Sequence, residues 1–177
     1  MMSRIFFALG LSLIGISAPA AETIARSPQT VSSFSSVKET VTSRRFSVDY
    51  PDHWILTQNS EEYVIIYNQR PSQASTGEAP PYMIKSDVSI LRTCLREALL
   101  AYEDEPEQVQ RIEAVTVSGR SGVRVWVESE GWDFPNSLTT FVPLSESEVV
   151  HISSFYSPEN HAAEDAILQM HDTLRLF

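Results

Sequence analysis

FSVDYPDHW, residues 46–54, is the stretch that decides the fold of this chain. Phe46, Val48 and Tyr50 alternate with polar residues, which is the period-2 pattern of a half-buried β-strand. The proline that follows ends the strand, because proline has no N–H to donate to a sheet. Trp54 then opens a second strand. The stretch therefore predicts where the folded domain begins.

Two segments that precede this stretch are not expected to belong to the fold. Residues 1–20 combine one positive charge, a short apolar run and small residues at the end, which predicts a cleaved secretory signal peptide. An uncleaved anchor is the alternative, but the apolar run is shorter than the ~20 residues of a membrane-spanning helix. Residues 21–43 are rich in serine and threonine and predict a flexible linker, with a docking arm that orders on a partner as the alternative. The predicted domain, exported and without a transmembrane segment after signal cleavage, is residues 44–177.

The charge of the chain excludes one class of partner. There are 13 basic and 23 acidic residues, which gives a formal net charge of −10. Nucleic acids are bound by clustered lysine and arginine, so no nucleic-acid partner is expected. Cys94 is the only cysteine, so no intrachain disulfide forms. We expect a monomer that is stabilised by its apolar core alone.

The order of the predicted elements sets the fold class. Short apolar runs with hairpin punctuation predict strands, and two stretches change to the helical period, residues 93–102 and residues 158–177. Residues 68–82 form a long loop with three prolines, and residues 119–122 form a turn. The predicted fold is α+β, with a central, mostly antiparallel sheet of about six to eight strands and helices on its faces. The predicted strands are 46–50, 54–56, 62–67, 83–91, 109–117, 123–127, 137–144 and 148–156.

Few residues are candidates for a metal site. His161 and Asp165 are one helical turn apart on the polar side of the last predicted helix, where they could share calcium or another divalent cation. A solvated helix face is the alternative, because no further ligand can be assigned. The acidic run at residues 103–107 has oxygen ligands but lacks EF-hand spacing, and it is predicted to be a solvated loop.

No catalytic machinery is predicted. The nucleophile motif Gly-x-Ser-x-Gly is absent. Cys94 follows a predicted helix cap at Thr93, but no histidine partner lies near it in sequence, so it is interpreted as a packed thiol. His151 alternates with apolar residues and is predicted to be a hydrogen-bonded core histidine. His171 is predicted to lie at the boundary of the apolar helix face.

Three spaced motifs resemble the PsbP-like family. They are FSVDYPDHW (46–54), SGRSGVRV (118–125) and HISSFYSPEN (151–160), and together they frame almost all of residues 44–177. The resemblance implies an antiparallel sheet with helices on both sides, and a location in the thylakoid lumen or periplasm. Family members include extrinsic proteins of photosystem II and factors that assist its assembly. Relatives of the same fold have unrelated roles, including a Ran-binding transport factor.

Two functional hypotheses follow. The first is a non-enzymatic, exported PsbP-like protein that serves as accessory or assembly factor of a membrane protein complex, with photosystem II as the complex that the resemblance implies. The second is a periplasmic module that binds a ligand or a divalent metal and is unrelated to photosynthesis. The acidic surface, the flexible arm (21–43) and the 68–82 loop are the predicted contact elements of the first hypothesis.

Overall fold

The structure is a computed structural model that describes residues 38–71, 80–129 and 133–177. The predicted signal peptide and the predicted linker up to residue 37 lie outside the described residues. The first described strand begins at Lys38, inside the range predicted as linker, and not at residue 44. The strand forms because Val41 is buried against the core and Thr40 Oγ1 donates to Asp49 Oδ1 at 2.8 Å.

The described residues form ten strands, two α-helices and one 3₁₀ helix. In chain order they are β1 (Lys38–Thr42), β2 (Phe46–Pro51), β3 (Ile55–Ser60), β4 (Tyr63–Tyr67), β5 (Ile84–Leu91), α1 (Leu95–Leu100), the 3₁₀ helix Pro106–Gln108, β6 (Val109–Val117), β7 (Arg120–Glu128), β8 (Asn136–Ser145), β9 (Glu148–Tyr156), α2 (Ala163–His171) and β10 (Arg175–Leu176).

The strands form two sheets, and every described pairing is antiparallel. The large sheet has seven strands in the order β3-β4-β5-β9-β8-β7-β6, and the small sheet has the order β1-β2-β10. Consecutive strands mostly lie side by side, since hairpins join them, while β5 and β9 pair at the centre across a long stretch of sequence. The predicted α+β class, with a central antiparallel sheet and helices on its faces, is confirmed.

The two helices pack on opposite faces of the large sheet. Val149 packs with residues of α1, while the next residue, Val150, belongs to the cluster that contains α2. Successive side chains of a strand point to opposite faces, so these two clusters lie on the two sides of the sheet. The α2 side also contains Phe46 and Val48 of β2, so the small sheet shares the main core with α2. The alternating apolar residues of FSVDYPDHW are thus core residues.

Two predicted boundaries are wrong. The last helix ends at His171, and the chain then forms β10, because Leu174 is buried and the residues after it pair with β2. The turn after β6 lies at Ser118 and Gly119, with φ of 54° and 73°, and not at residues 119–122. Two central residues with positive φ match the twist of a two-residue hairpin. Within the described ranges, no helix is long and apolar enough to cross a bilayer.

Candidate functional site

Tyr82 is the residue whose geometry most clearly departs from that of an ordinary surface side chain. Its φ is 68°, in the left-handed region, and 60% of the residue is exposed. Bulky residues seldom adopt this conformation, because the Cβ atom crowds the backbone. A strained conformation of this kind persists when its surroundings determine it, and it is frequent at functional sites.

The local sequence explains why the strain occurs here. Met83 N donates to Pro80 O at 3.1 Å, which closes a four-residue turn with Pro81 and Tyr82 at its centre. Proline at the second position and a positive φ at the third are the features of a type II turn, where glycine normally occupies the third position. The turn thus places a tyrosine where the backbone favours glycine.

Two asparagines hold the turn in place. Asn68 Nδ2 and Asn160 Nδ2 both donate to Tyr82 O, at 2.8 and 2.9 Å. Asn68 Oδ1 also accepts from Ile84 N at 2.7 Å, so one side chain ties the two ends of the loop together. Asn160 precedes α2 and connects the loop to that helix. The backbone beneath the tyrosine ring is therefore fixed before any partner arrives.

An open groove of about 640 Å³ lies beside the ring. It is lined by Tyr82 and by the segment 158–162, whose polar side chains include Glu159, Asn160 and His161. A rigid, exposed aromatic ring with a polar rim is typical of an anchor in a protein–protein interface, where tyrosine is enriched among the residues that dominate binding energy. We name Tyr82 together with residues 158–162 the tyrosine groove.

The structure does not assemble the predicted metal site. α2 begins at Ala163, so His161 lies in the turn before the helix and Asp165 in its first turn. The premise that both lie one turn apart on a helix is therefore wrong, and both residues are exposed. Within the described residues, no group of three or more histidine, cysteine, aspartate or glutamate side chains could hold a metal ion. His161 instead lines the tyrosine groove.

A second polar feature lies on the sheet face that carries α1. Lys85 Nζ is 2.7 Å from Asp87 Oδ2 and 5.3 Å from the ring centroid of Phe155. The Phe155 ring lies 6.5 Å from that of Phe134. Asp87 Oδ1 is buried without a hydrogen-bond partner in the described part of the chain. Sequence reasoning missed this cluster, because Phe134 and Phe155 are distant along the chain from the β5 residues Lys85 and Asp87.

Ser89, His151 and Asp87 lie together on this face, but they do not form a catalytic triad. Ser89 Oγ is 3.5 Å from His151 Nδ1 and 3.4 Å from Nε2, so neither ring nitrogen is directed at the hydroxyl. Burial lowers the pKa of His151, and the charge of Asp87 opposes this shift. His151 is half-buried against Phe141, with ring centroids 5.9 Å apart. The arrangement provides packing, with no aligned path for proton transfer.

His171 is wrongly predicted as a boundary residue. It is completely buried, and its Nδ1 and Nε2 atoms each lie 2.8 Å from a hydroxyl, those of Thr140 and Ser154. Ser154 Oγ is 2.6 Å from Ser86 Oγ, and Arg124 Nε donates to Thr140 Oγ1 at 3.0 Å. Burial lowers the pKa of His171 well below 6.5, and the nearby guanidinium lowers it further. The histidine is misassigned because sequence gives no sign that polar strand residues lie opposite it.

The remaining candidates, at residues 93–94 and 103–107, are explained by local packing, hydrogen bonding or exposure to solvent. Cys94 is itself the N-cap residue of α1 and is a half-buried free thiol. Thr93 Oγ1 donates to Glu97 Oε2 at 2.6 Å and does not cap a backbone N–H, so the predicted cap is displaced by one residue. The acidic run at 103–107 is exposed.

Comparisons with known proteins identify a fold. No protein-family profile matches the sequence, and no curated protein matches it. Cyanobacterial PsbP from Synechocystis is similar in structure, with a TM-score of 0.50, 7% sequence identity, and coverage of 79% of this chain and 92% of that one. A variant of the protein Mog1 gives a TM-score of 0.43 at 15% identity, with coverage of 79% and 96%. A protein of unknown function from Pseudomonas aeruginosa, described as a putative regulator, gives 0.44 at 13% identity, with coverage of 77% and 94%. The likeness to PsbP shows a shared fold, in agreement with the resemblance of the sequence motifs.

Proposed function

We propose that this chain is an exported accessory protein without catalytic activity, which docks on a membrane protein complex through the tyrosine groove. The observation that carries the docking role is Tyr82, an exposed aromatic side chain on a strained backbone that two asparagines hold in place. Export is proposed from the signal-like residues 1–20. Photosystem II is the proposed complex, supported by the fold that the chain shares with a cyanobacterial PsbP.

The strain at Tyr82 favours docking over a purely structural role. Glycine at this position would remove the steric cost of the left-handed conformation, which is about 1 kcal/mol. The ring is mostly exposed, so its packing within the chain offsets little of that steric cost. A partner that covers the ring would gain its apolar surface without ordering the backbone of Tyr82, because the two asparagines have already fixed it. The groove beside the ring gives such a partner a place to enter.

A capture experiment tests this proposal. The tagged full chain and its Tyr82→Gly variant are purified from membranes of the source organism, and photosystem II subunits are quantified in the eluates. We expect Tyr82→Gly to reduce the capture about tenfold or more, the loss typical of a central anchor residue. Phe177→Ala is the matched control, because Phe177 is exposed to a similar extent, 65%, at the far end of the chain. This control variant should capture as much as the unmodified protein.

Two results would contradict the proposal in different ways. Equal capture of photosystem II by the unmodified protein and by Tyr82→Gly would reject the tyrosine groove as the docking site. Failure of the unmodified protein to enrich photosystem II subunits would reject that complex as the partner. A stabilising thermal shift with calcium or zinc that disappears in His161→Ala would instead support the periplasmic metal-binding hypothesis, because a ligand of the native state raises its stability.

A further inference from the structure

β6 is an edge strand with a long accessible side. It is the last strand of the large sheet, and no other described strand pairs with its outer edge. Residues 110–114 are all exposed, and Ile112 retains 58% of its surface. A free edge presents unpaired N–H and C=O groups that another strand can use. At the opposite edge β3 is shorter, with a register irregularity near its end, which makes it a poorer template.

The sequence of β6 is complementary to itself. Residues 109–115 read VQRIEAV. When two copies run antiparallel with Ile112 opposite Ile112, Arg111 of each strand lies opposite Glu113 of the other. Opposite charges at directly facing positions stabilise a strand pair, and like charges destabilise it.

Neighbouring registers lose this match. A pair centred on Glu113 places two carboxylates opposite each other. A pair centred on Ala114 places Arg111 opposite Val117, so no charge is matched. The irregularity of β6 lies between Val109 and Arg111, so the central residues of the Ile112 register are in the regular part of the strand.

The charged side chains are already ordered in the single chain. Arg111 Nη2 lies 2.8 Å from Glu164 Oε1, and its Cζ lies 3.6 Å from the centroid of the Trp126 ring. Arg111 Nε is 3.4 Å from Glu113 Oε1. Both side chains remain close to half exposed, at 46% and 47%. Little further side-chain entropy is therefore lost when Arg111 and Glu113 pair with the same residues of a facing strand.

We propose that β6 pairs with β6 of a second copy of this chain about a twofold axis through Ile112. The large sheets of the two copies then form one continuous sheet. No free β6 edge remains, because the same strand forms the interface in both copies. The inference is independent of the tyrosine groove, since Tyr82 precedes β5 and lies outside the interface. It replaces the monomer expected from the sequence.

The experiment combines oligomeric state with a test of register. The purified full chain is examined by sedimentation velocity across a range of concentrations, and a concentration-dependent dimer is expected. Ile112→Lys places a positive charge on the axis and is expected to weaken the dimer about tenfold or more. Glu113→Arg should weaken it similarly, and Arg111→Glu combined with Glu113→Arg should restore it, because the facing charges are again opposite.

Cysteine cross-linking in a Cys94→Ser background identifies the register. In the proposed pair the two Ile112 Cα atoms lie about 4.5–5.5 Å apart, within the range of a disulfide. The two Ala114 Cα atoms lie roughly 13 Å apart along the strands, which is too far. Mild oxidation should therefore cross-link Ile112→Cys and leave Ala114→Cys monomeric on a non-reducing gel.

The outcomes are distinct. A dimer that Ile112→Lys weakens and Ile112→Cys captures supports the proposal. A monomer at all concentrations overturns it, as does a dimer that Ile112→Lys leaves unchanged. Cross-linking of Ala114→Cys without Ile112→Cys overturns the register. Circular dichroism of each variant verifies that the fold is retained, and the cross-linking of Ile112→Cys keeps the test valid where a charge variant is unstable.

Discussion

Acidification is predicted to destabilise the domain through His171. The imidazole is neutral in the core, where it lies between the hydroxyls of Thr140 and Ser154 and close to the Arg124 guanidinium. A proton on the ring would place a second positive charge beside the guanidinium in a site without solvent. In the unfolded chain the same ring takes up a proton freely, with a pKa of about 6.5.

The sign and size of the effect follow from this difference. The folded pKa is lowered, so below pH 6.5 the unfolded state binds more protons than the folded state and the free energy of unfolding decreases as pH decreases. Between pH 7.5 and 5.5 the loss from this single group is about 1.4 kcal/mol, with most of it below pH 6.5. Above pH 7.5 the group contributes no pH dependence. The lowered pKa of His151 adds a smaller loss of the same sign.

Urea unfolding at several pH values measures this loss. His171→Phe keeps a ring in the core but cannot be protonated, so the pH slope should decrease by the contribution of His171. The variant should also lose about 1–3 kcal/mol at pH 7.5, because two buried hydroxyls lose a partner. His53→Gln is the matched control, since His53 is mostly exposed in the turn before β3 and lies outside the His171 network, so this variant should keep the loss of stability that is due to His171. An unchanged slope in His171→Phe would refute the reasoning.

Four further changes test the fold and the groove, each by urea unfolding at pH 7.5. Trp54→Ala should cost about 3–5 kcal/mol because Trp54 is buried in the main core, and a loss below about 1 kcal/mol would contradict its placement. Gly122→Ala should cost about 1–3 kcal/mol, because a Cβ atom there would lie 2.4 Å from Phe141 O. Gly119→Ala has open space and should lose only about 1 kcal/mol, from its φ of 73°, so a larger loss than at Gly122 would reverse the expected order. Tyr82→Gly should change stability by less than about 1 kcal/mol, because relief of strain and the added freedom of the unfolded chain offset each other; a loss of several kcal/mol would show that the ring packs within the chain.

The strands could be predicted from the sequence because their signal is local. Alternation of apolar residues and the positions of proline and glycine found β2 and the hairpin of β6 and β7, with the turn placed slightly too late. β10 could not be found in this way, because it is only two residues long and follows a helical pattern. Its pairing with β2 depends on the packing of Leu174, which is a tertiary event.

The polar residues were harder to predict, because their roles depend on which strands become neighbours. His171 looks like a residue at the edge of an apolar helix face until β8 and β9 place Thr140 and Ser154 opposite its two nitrogens. Tyr82 carried no more signal than a tyrosine after two prolines. Its significance arises only when Asn68 and Asn160, which are 92 residues apart in the chain numbering, donate to the same carbonyl oxygen.

His171 is a structural polar residue of this domain, whereas Tyr82 is the candidate for function, and their surroundings differ accordingly. The His171 network satisfies its own hydrogen bonds in the core, so its contribution ends with stability and its pH dependence. Around Tyr82 the hydrogen bonds satisfy only the backbone, and the ring that they position remains exposed. A polar network that holds an unfavourable backbone conformation and leaves an aromatic ring in solvent adds little to the stability of the isolated domain. That imbalance is removed when a partner covers the ring, which is why we propose docking at the tyrosine groove.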